Sequence, residues 1–189
     1  MEDYIIQSIE TKKKILQDKK LLKDIEKMSE VIVETLVNDR KLLFVGNGGS
    51  ASDCDHLATE FVSKFFKERK AFNAISLASN NALITALSND FGYEKVFSRQ
   101  IEAIGKPGDI LFAFSTSGKS KNIIEALKTA SMMGLIKIGF TGITPCEMDK
   151  FCDILIKIPA KETSIIQESH MMLGHVICKM VEDKLFSHV

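Results

Sequence analysis

Two segments of this 189-residue sequence contain residues whose types and spacing suit catalysis or metal binding. In GNGGSASDCDHLATE, His56 and Glu60 are four residues apart and therefore lie on one face of a helix. In IIQESHMMLGH, near the C-terminus, Gln167, His170 and His175 follow one another at helical spacing. Imidazole and carboxylate groups bind zinc and transfer protons, so this pattern favours a metal site or acid–base catalysis.

The glycine loop GNGG is ambiguous when it is considered alone. It follows KLLFV, residues 41–45, a run with the character of a buried strand. A strand that ends in glycines and continues as a helix often binds phosphate, but a tight turn also needs glycine. The loop lacks GxGxxG spacing, and no acidic residue ends the next strand, so a dinucleotide is disfavoured. A structural and a functional role both stay open, and a core position is the common alternative for a helix-face histidine such as His170.

A second loop, FSTSGKSKN at residues 114–122, carries four hydroxyl groups between an apolar run and a helical segment. Short hydroxyls and the free N–H groups of a helix N-terminus together suit a phosphate monoester. The lysine spacing differs from that of the GxxxxGK[ST] nucleotide loop. A serine-rich helix cap is the alternative, but four hydroxyls exceed what one cap uses. The hydroxyl-bearing residues are Ser115, Thr116, Ser117 and Ser120.

The elements that must position these residues alternate between strand and helix. Near-continuous apolar runs predict strands that are covered on both faces, as in a parallel sheet between helices. Such alternation predicts a doubly wound α/β fold. We expect one domain over residues 1–189, with an amphipathic helical region at 1–40 and the α/β core and a final helix at 41–189. The predicted strands are residues 41–45, 74–78, 109–115, 135–142 and 153–159, and the final helix is 163–186.

Composition excludes several classes of protein. Lysine plus arginine and aspartate plus glutamate each total 25, and a zero net charge disfavours a nucleic-acid binder. The sequence opens without an apolar core of signal-peptide length, and no apolar run approaches the ~20 residues of a membrane span. The four cysteines form no CxxC pair, which favours reduced thiols and a cytoplasmic location.

Four motifs, in order, resemble the phosphoheptose isomerases of the sugar isomerase (SIS) domain family. They are GNGGSASDCDHLATEF, LSNDFGYEKVFSRQIEA, STSGKS and IIQESHMMLGHVICKMVE. The resemblance implies a five-stranded parallel sheet flanked by helices, assembled as a homotetramer with active sites at subunit interfaces. It also implies interconversion of sedoheptulose 7-phosphate and D-glycero-D-manno-heptose 7-phosphate through an enediol(ate). In that family the product serves heptose biosynthesis for surface polysaccharide such as lipopolysaccharide.

The resemblance implies roles for particular residues. We expect Glu60 to act as the base and His175 as the acid, and the resemblance implies one zinc ion per subunit held by His56, Glu60, Gln167 and His175. The sugar phosphate is bound by Asn47, Gly48, Gly49, Glu60, Asn89, Asp90, Ser115, Thr116, Ser117, Ser120 and Gln167. On one helix Gln167 and His175 are ~12 Å apart along the axis. They meet one metal only by leaning together or if two subunits share the site, and His170 is the substitute ligand.

The chain departs from the family pattern at three places. Ser79-Asn80 replaces a Thr-Asp pair, Ile165 replaces an arginine, and GITPCEMDK replaces a glycine-rich segment. These changes leave the exact sugar open, and Asn89 with Asp90 suits a simple turn as well as a sugar site. A non-catalytic SIS protein that binds the replication initiator DnaA is the alternative function. Glu60 and His175 are both present, which favours the enzyme.

Overall fold

A five-stranded parallel sheet in the order β2-β1-β3-β4-β5 forms the centre of the computed structural model, which describes residues 1–186. Every neighbouring pair of strands runs parallel. The five predicted strands are confirmed, with ends that differ by one or two residues. They are β1 Leu42–Gly46, β2 Ala74–Ser76, β3 Ile110–Phe114, β4 Ile136–Gly142 and β5 Ile154–Ile158.

Seven α-helices and two short 3-10 turns surround the sheet within residues 1–186. Asp18 separates the first two helices, and its carboxylate accepts the N–H groups of Lys20 and Leu21 as an N-cap. None of the helices in the described part of the chain is long and apolar enough to cross a membrane. The helices are α1 Glu2–Gln17, α2 Lys19–Val37, α3 Gly49–Val62, α4 Asn81–Phe91, α5 Ser98–Ile104, α6 Lys121–Met132 and α7 Thr163–Phe186; the 3-10 turns are Tyr93–Lys95 and Glu147–Lys150.

The two faces of the sheet belong to two separate hydrophobic cores. In β1, Leu42 and Phe44 pack against α2, α3 and α7, while Leu43 and Val45 pack against α5 and α6. Phe44 stacks on Phe112 of the neighbouring β3 at a centroid distance of 4.7 Å. Because side chains alternate between the faces of a strand, burial on both sides explains the continuous apolar runs.

The apolar residues of α1 are only partly used within one subunit. Ile15 is buried, but Ile5, Ile6 and Ile9 are 53%, 55% and 47% exposed. The helical region predicted at 1–40 is confirmed here, yet about half of each of these three isoleucines stays exposed in the described part of the chain. Contiguous apolar surface of this kind marks an interaction site.

The strand order reverses between β1 and β3, and this arrangement places the two candidate loops side by side. β1 leads into α3 on one face of the sheet, whereas β3 leads into α6 on the opposite face. In open parallel sheets the crevice at such a reversal, beyond the carboxyl ends of the strands, is where ligands bind.

Candidate active site

Helices α3 and α7 lie against each other and carry the ionisable residues of the site. The contact is close because Gly174 has no side chain: a Cβ there would lie 2.6 Å from Leu57 Cδ2. His56 and His175, which adjoin these two residues in the chain, meet at the margin of this contact.

His56, Glu60 and His175 form a compact cluster. His56 Nε2 is 2.9 Å from His175 Nε2 and 3.1 Å from Glu60 Oε1. One ligand atom from each residue lies within 4.8 Å of the others. The structure thus brings together three of the four residues for which the resemblance implies zinc binding.

The cluster fits a divalent metal ion. Two imidazole nitrogens and a carboxylate oxygen are a common zinc donor set. Two unprotonated Nε2 atoms at 2.9 Å repel each other through their lone pairs, so a proton or a cation must lie between them. Half of the His56 side chain is exposed, which leaves the cluster open to an ion or a substrate.

Gln167 lies elsewhere in the same subunit. Its amide donates a hydrogen bond to Asp53 Oδ1 at 3.2 Å and packs on Gly49, where a Cβ would lie 2.5 Å from the amide atoms. About two helical turns separate Gln167 from His175 on α7. The described subunit therefore has Gln167 beside the glycine loop, with its amide directed to Asp53.

His170 has the core role that the sequence left open. It is fully buried, with its ring edge-on to Phe114 and Phe140 and its Nε2 3.4 Å from the carbonyl oxygen of Thr141. Burial lowers the pKa of His170 to about 4, so the ring is neutral at physiological pH. The structure places His170 outside the cluster and thus does not support it as a substitute ligand.

The serine loop closes into a tight turn between β3 and α6. Ser115 is buried. Its Oγ accepts the N–H of Gly118 at 3.1 Å and lies 3.2 Å from Ser120 Oγ. Ser120 is the N-cap residue of α6, but its side chain does not cap the helix. Ser117 is exposed and Thr116 half-buried. The first-turn N–H groups and the hydroxyls are therefore available for an anion.

Gly118 is required in this turn for two reasons. Its φ of +64° lies in the left-handed region, and a Cβ would overlap Cys146 and lie 2.9 Å from Thr141 Oγ1. Cys146 belongs to GITPCEMDK, the segment that departs from the family pattern. This segment therefore packs beneath the serine loop. The Cys146 thiol is free, as are those of Cys54, Cys152 and Cys178.

Asn47 connects the glycine loop to the serine loop. Its amide exchanges two hydrogen bonds with Asn122, of 2.9 and 2.7 Å, and its Oδ1 also accepts from Tyr93 Oη at 2.9 Å. Asn122 is buried in the first turn of α6, whereas Tyr93 is half exposed. These residues line a cavity of about 440 Å³ that also reaches Ser120.

Asn89 and Asp90 are exposed near the end of α4, where Asn89 Nδ2 donates to Asp90 Oδ1 at 3.0 Å. They are helical and do not form a simple turn. Among the described residues, neither bonds to the glycine loop or the serine loop. Their implied contact with the sugar stays a prediction.

Two of the departures have structural roles. Asn80 caps α4, since its Oδ1 accepts the N–H of Leu83 at 3.1 Å, and Ser79 donates to the carbonyl oxygen of Ser76 at 2.9 Å. Ile165 is buried where α7 begins and lines a cavity beside α1.

Sequence reasoning missed Asp53, Asn122 and Tyr93. Asp53 precedes His56 by three residues, a spacing that puts both on one face of α3. It is 5% exposed and its Oδ2 has no hydrogen-bond partner in the described part of the chain. Burial raises the pKa of Asp53, against the opposing effects of the Gln167 hydrogen bond and of His56. Helical spacing was the signal that could have identified it.

The serine-rich helix N-terminus at the sheet reversal suits a phosphate group, and the ionisable cluster on α3 and α7 suits proton transfer. Residues 3–142 match the SIS domain family. Phosphoheptose isomerases from Aneurinibacillus thermoaerophilus and Clostridium acetobutylicum are 46% and 44% identical to the chain, each over 98% of it and over 96% and 95% of their own lengths. The structure of phosphoheptose isomerase from Neisseria gonorrhoeae superposes with a TM-score of 0.89 at 33% identity, over 96% of each chain. The chain belongs to the SIS domain family and, within it, to the phosphoheptose isomerases.

Proposed function

We propose that the protein is an aldose–ketose isomerase that interconverts sedoheptulose 7-phosphate and D-glycero-D-manno-heptose 7-phosphate. The meeting of His56, Glu60 and His175 on two adjacent helices carries this proposal. Moving a proton between C1 and C2 requires a base and an acid close to one another, and this cluster supplies both. The relatives give no support to the alternative of a DnaA-binding protein.

The serine loop binds the phosphate in this proposal. The hydroxyls of Ser115, Ser117 and Ser120 and the N-terminal N–H groups of α6 are short neutral donors at the positive end of a helix. Binding energy at C7 fixes the orientation of carbons that react at the other end of the sugar. Asn47, held by Asn122, would contact the hydroxyls between the two ends.

Glu60 removes the proton from carbon, and His175 exchanges protons with the substrate oxygens. A carboxylate is a suitable base for the carbon next to a carbonyl, and an imidazole exchanges protons with oxygen near neutral pH. The charge that develops is that of an enediolate. Glu60 on α3 and His175 on α7 have ligand atoms within 4.8 Å of each other, so one substrate can contact both groups.

A zinc ion would be held by His56, Glu60 and His175, with Gln167 as the remaining family ligand. When bound, zinc would polarise the carbonyl and stabilise negative charge on oxygen. Gln167 is beside Asp53 in the subunit, and its contribution would require leaning of the side chain or a second subunit. The exposed apolar face of α1 supports a homotetramer in which subunits share sites.

Incubation of the purified protein with sedoheptulose 7-phosphate in D2O, followed by NMR, tests the proposal. We expect aldose 7-phosphate to appear and deuterium to enter at the exchanging carbon. Sedoheptulose without the phosphate is the control substrate and should react far more slowly. If neither aldose nor deuterium exchange appears, with or without added zinc, the proposed reaction is wrong.

A further inference from the structure

The segment between α3 and β2 contains a buried ion pair for which the proposed reaction has no use. Arg69 Nε donates to Glu182 Oε1 at 2.9 Å, and the two side chains are 1% and 3% exposed. Burying two charges is costly unless both are paired and fully hydrogen-bonded. What else these two side chains bind therefore indicates what the pair does.

Arg69 binds the end of the helix that carries Glu60. Its Nη2 donates to the carbonyl oxygen of Glu60 itself at 2.7 Å. Its Nη1 donates to the carbonyl oxygens of Phe61 at 2.9 Å and Ser63 at 3.1 Å. The last carbonyls of a helix have no partner within the helix, so the guanidinium satisfies them and fixes the final turn of α3.

Glu182 binds the chain that follows α3. Its carboxylate accepts the backbone N–H groups of Phe65, Phe66 and Lys67 at 3.0, 2.8 and 3.2 Å. Burial alone would raise the pKa of Glu182, but these N–H groups and Arg69 hold that pKa below its ordinary value. The carboxylate therefore stays charged and keeps the segment folded against α7.

The folded segment places an aromatic ring on His175. Phe65 stacks on the imidazole at a centroid distance of 5.7 Å and an interplanar angle of 26°. Glu182 is two turns beyond His175 on the same helix. A single ion pair thus connects the backbone of Glu60, the ring beside His175 and the helix on which His175 lies.

We propose that Arg69 and Glu182 are positioning residues that set the placement of Glu60 relative to His175, an inference that rests on the proposed function. Neither side chain reaches the substrate, and both act through the ends of α3 and the ring of Phe65. A displacement of about 1 Å between reacting groups can cost about 100-fold in rate. The pair is thus required for turnover more than for substrate binding.

Arg69→Lys tests this inference because it keeps the positive charge but removes the several planar N–H donors of the guanidinium group. Lysine can reach Glu182 or the carbonyls of α3, but not all of them together. We expect kcat to fall ~10- to 100-fold while KM for the sugar phosphate stays within ~2-fold. Arg40→Lys is the matched control, since Arg40 is exposed where the chain enters β1 and packs beside Gly108, and its kinetics should be unchanged.

A second measurement does not depend on activity. In protein labelled with 13C-histidine and stripped of metal, the ring signal of His175, assigned through its loss in His175→Gln, reports the ring current of Phe65. Arg69→Lys should move this signal toward the position it has in Phe65→Leu, and Arg40→Lys should not. If the wild-type protein has no isomerase activity, the proposed function is wrong, but the NMR measurement still tests whether Arg69 positions Phe65 against His175.

The outcome that overturns the inference is a folded Arg69→Lys protein with wild-type kcat and an unmoved His175 signal. A role in stability alone would lower the melting temperature and leave both readouts intact. If Arg69→Lys does not fold, Phe65→Leu decides, because it removes only a half-buried ring. An unchanged kcat in that variant would show that the segment does not position His175.

Discussion

The side-chain amides of Asn47 and Asn122 are joined by two reciprocal hydrogen bonds, of 2.9 and 2.7 Å, between the ends of β1 and β3. Each amide gives an N–H and accepts one, so both positions require an amide. The bonds connect the glycine loop that follows β1 to α6, the helix that follows β3. The sugar-binding and phosphate-binding parts of the proposed site are therefore fixed to each other before a substrate arrives.

Asn122→Asp should weaken substrate binding. A carboxylate at this position loses the donor to Asn47 Oδ1 and places negative charge against that oxygen. An unmatched polar pair costs about 1–3 kcal/mol, so we expect KM for the sugar phosphate to rise ~5- to 150-fold. Asn38→Asp, at the exposed end of α2, is the control. Unchanged steady-state KM in Asn122→Asp would mean that the amide pair does not shape the site.

Ser117→Ala and Ser120→Ala should each raise KM with little change in kcat. A lost hydroxyl costs about 0.5–1.5 kcal/mol, and more where it meets a charged oxygen. Ser131→Ala, at the far end of α6, is the control because Ser131 Oγ bonds only within its own helix, to Leu127. If both loop variants retain the wild-type KM, the serine loop is not the phosphate site.

Glu60→Gln should abolish most of the proton transfer while the fold persists. The amide preserves the shape of the side chain but loses its charge, and a positioned acid–base group contributes ~10²- to 10⁴-fold. The measurements are kcat and deuterium entry at the exchanging carbon; Glu68→Gln, on a side chain 91% exposed, is the control. An enclosed site can return the same proton, so the rate decides. Normal turnover by folded Glu60→Gln would assign the chemistry to another residue.

A homotetramer is the expected assembly in solution. Light scattering should give about four times the 21.1 kDa of one chain. Ile6→Asp places a charge on the exposed apolar face of α1 and should yield smaller species with lower activity. Lys13→Gln on the same helix should leave the assembly intact. An active protein of monomer mass would contradict both the assembly and the sharing of sites.

His170 should make the protein less stable in acid. Its folded pKa of about 4 is below the ordinary 6.5, so the unfolded chain binds more protons between these values. The free energy of unfolding therefore falls as the pH falls below about 6.5. We expect urea titrations to show a smaller loss for His170→Leu than for the wild type between pH 6.5 and 4.5. Equal slopes would mean that His170 does not contribute.

The strands and the final helix could be predicted from the sequence because their signals are local. Apolar runs buried on both faces mark β1 and β3, and α7 extends over Thr163–Phe186 as predicted. The spacing of His56 and Glu60 likewise indicates a shared helix face. Arg69 gave no such signal: FFKERK has the composition of a solvated loop, and its partner Glu182 lies 113 residues away. Pairings of that kind depend on how α3 and α7 pack.

Because the sheet has two separate cores, the groups that bind the sugar and the groups that transfer the proton can change independently. The serine loop and α6 rest on the core with α5, whereas His56, Glu60 and His175 rest on helices of the other core. A substitution beneath α6 can reshape the sugar site without moving the proton-transfer groups. Two departures from the family pattern, at Asn80 and Cys146, lie on the α6 side of the sheet. A lineage can thus change which sugar it holds and still inherit the same isomerisation chemistry.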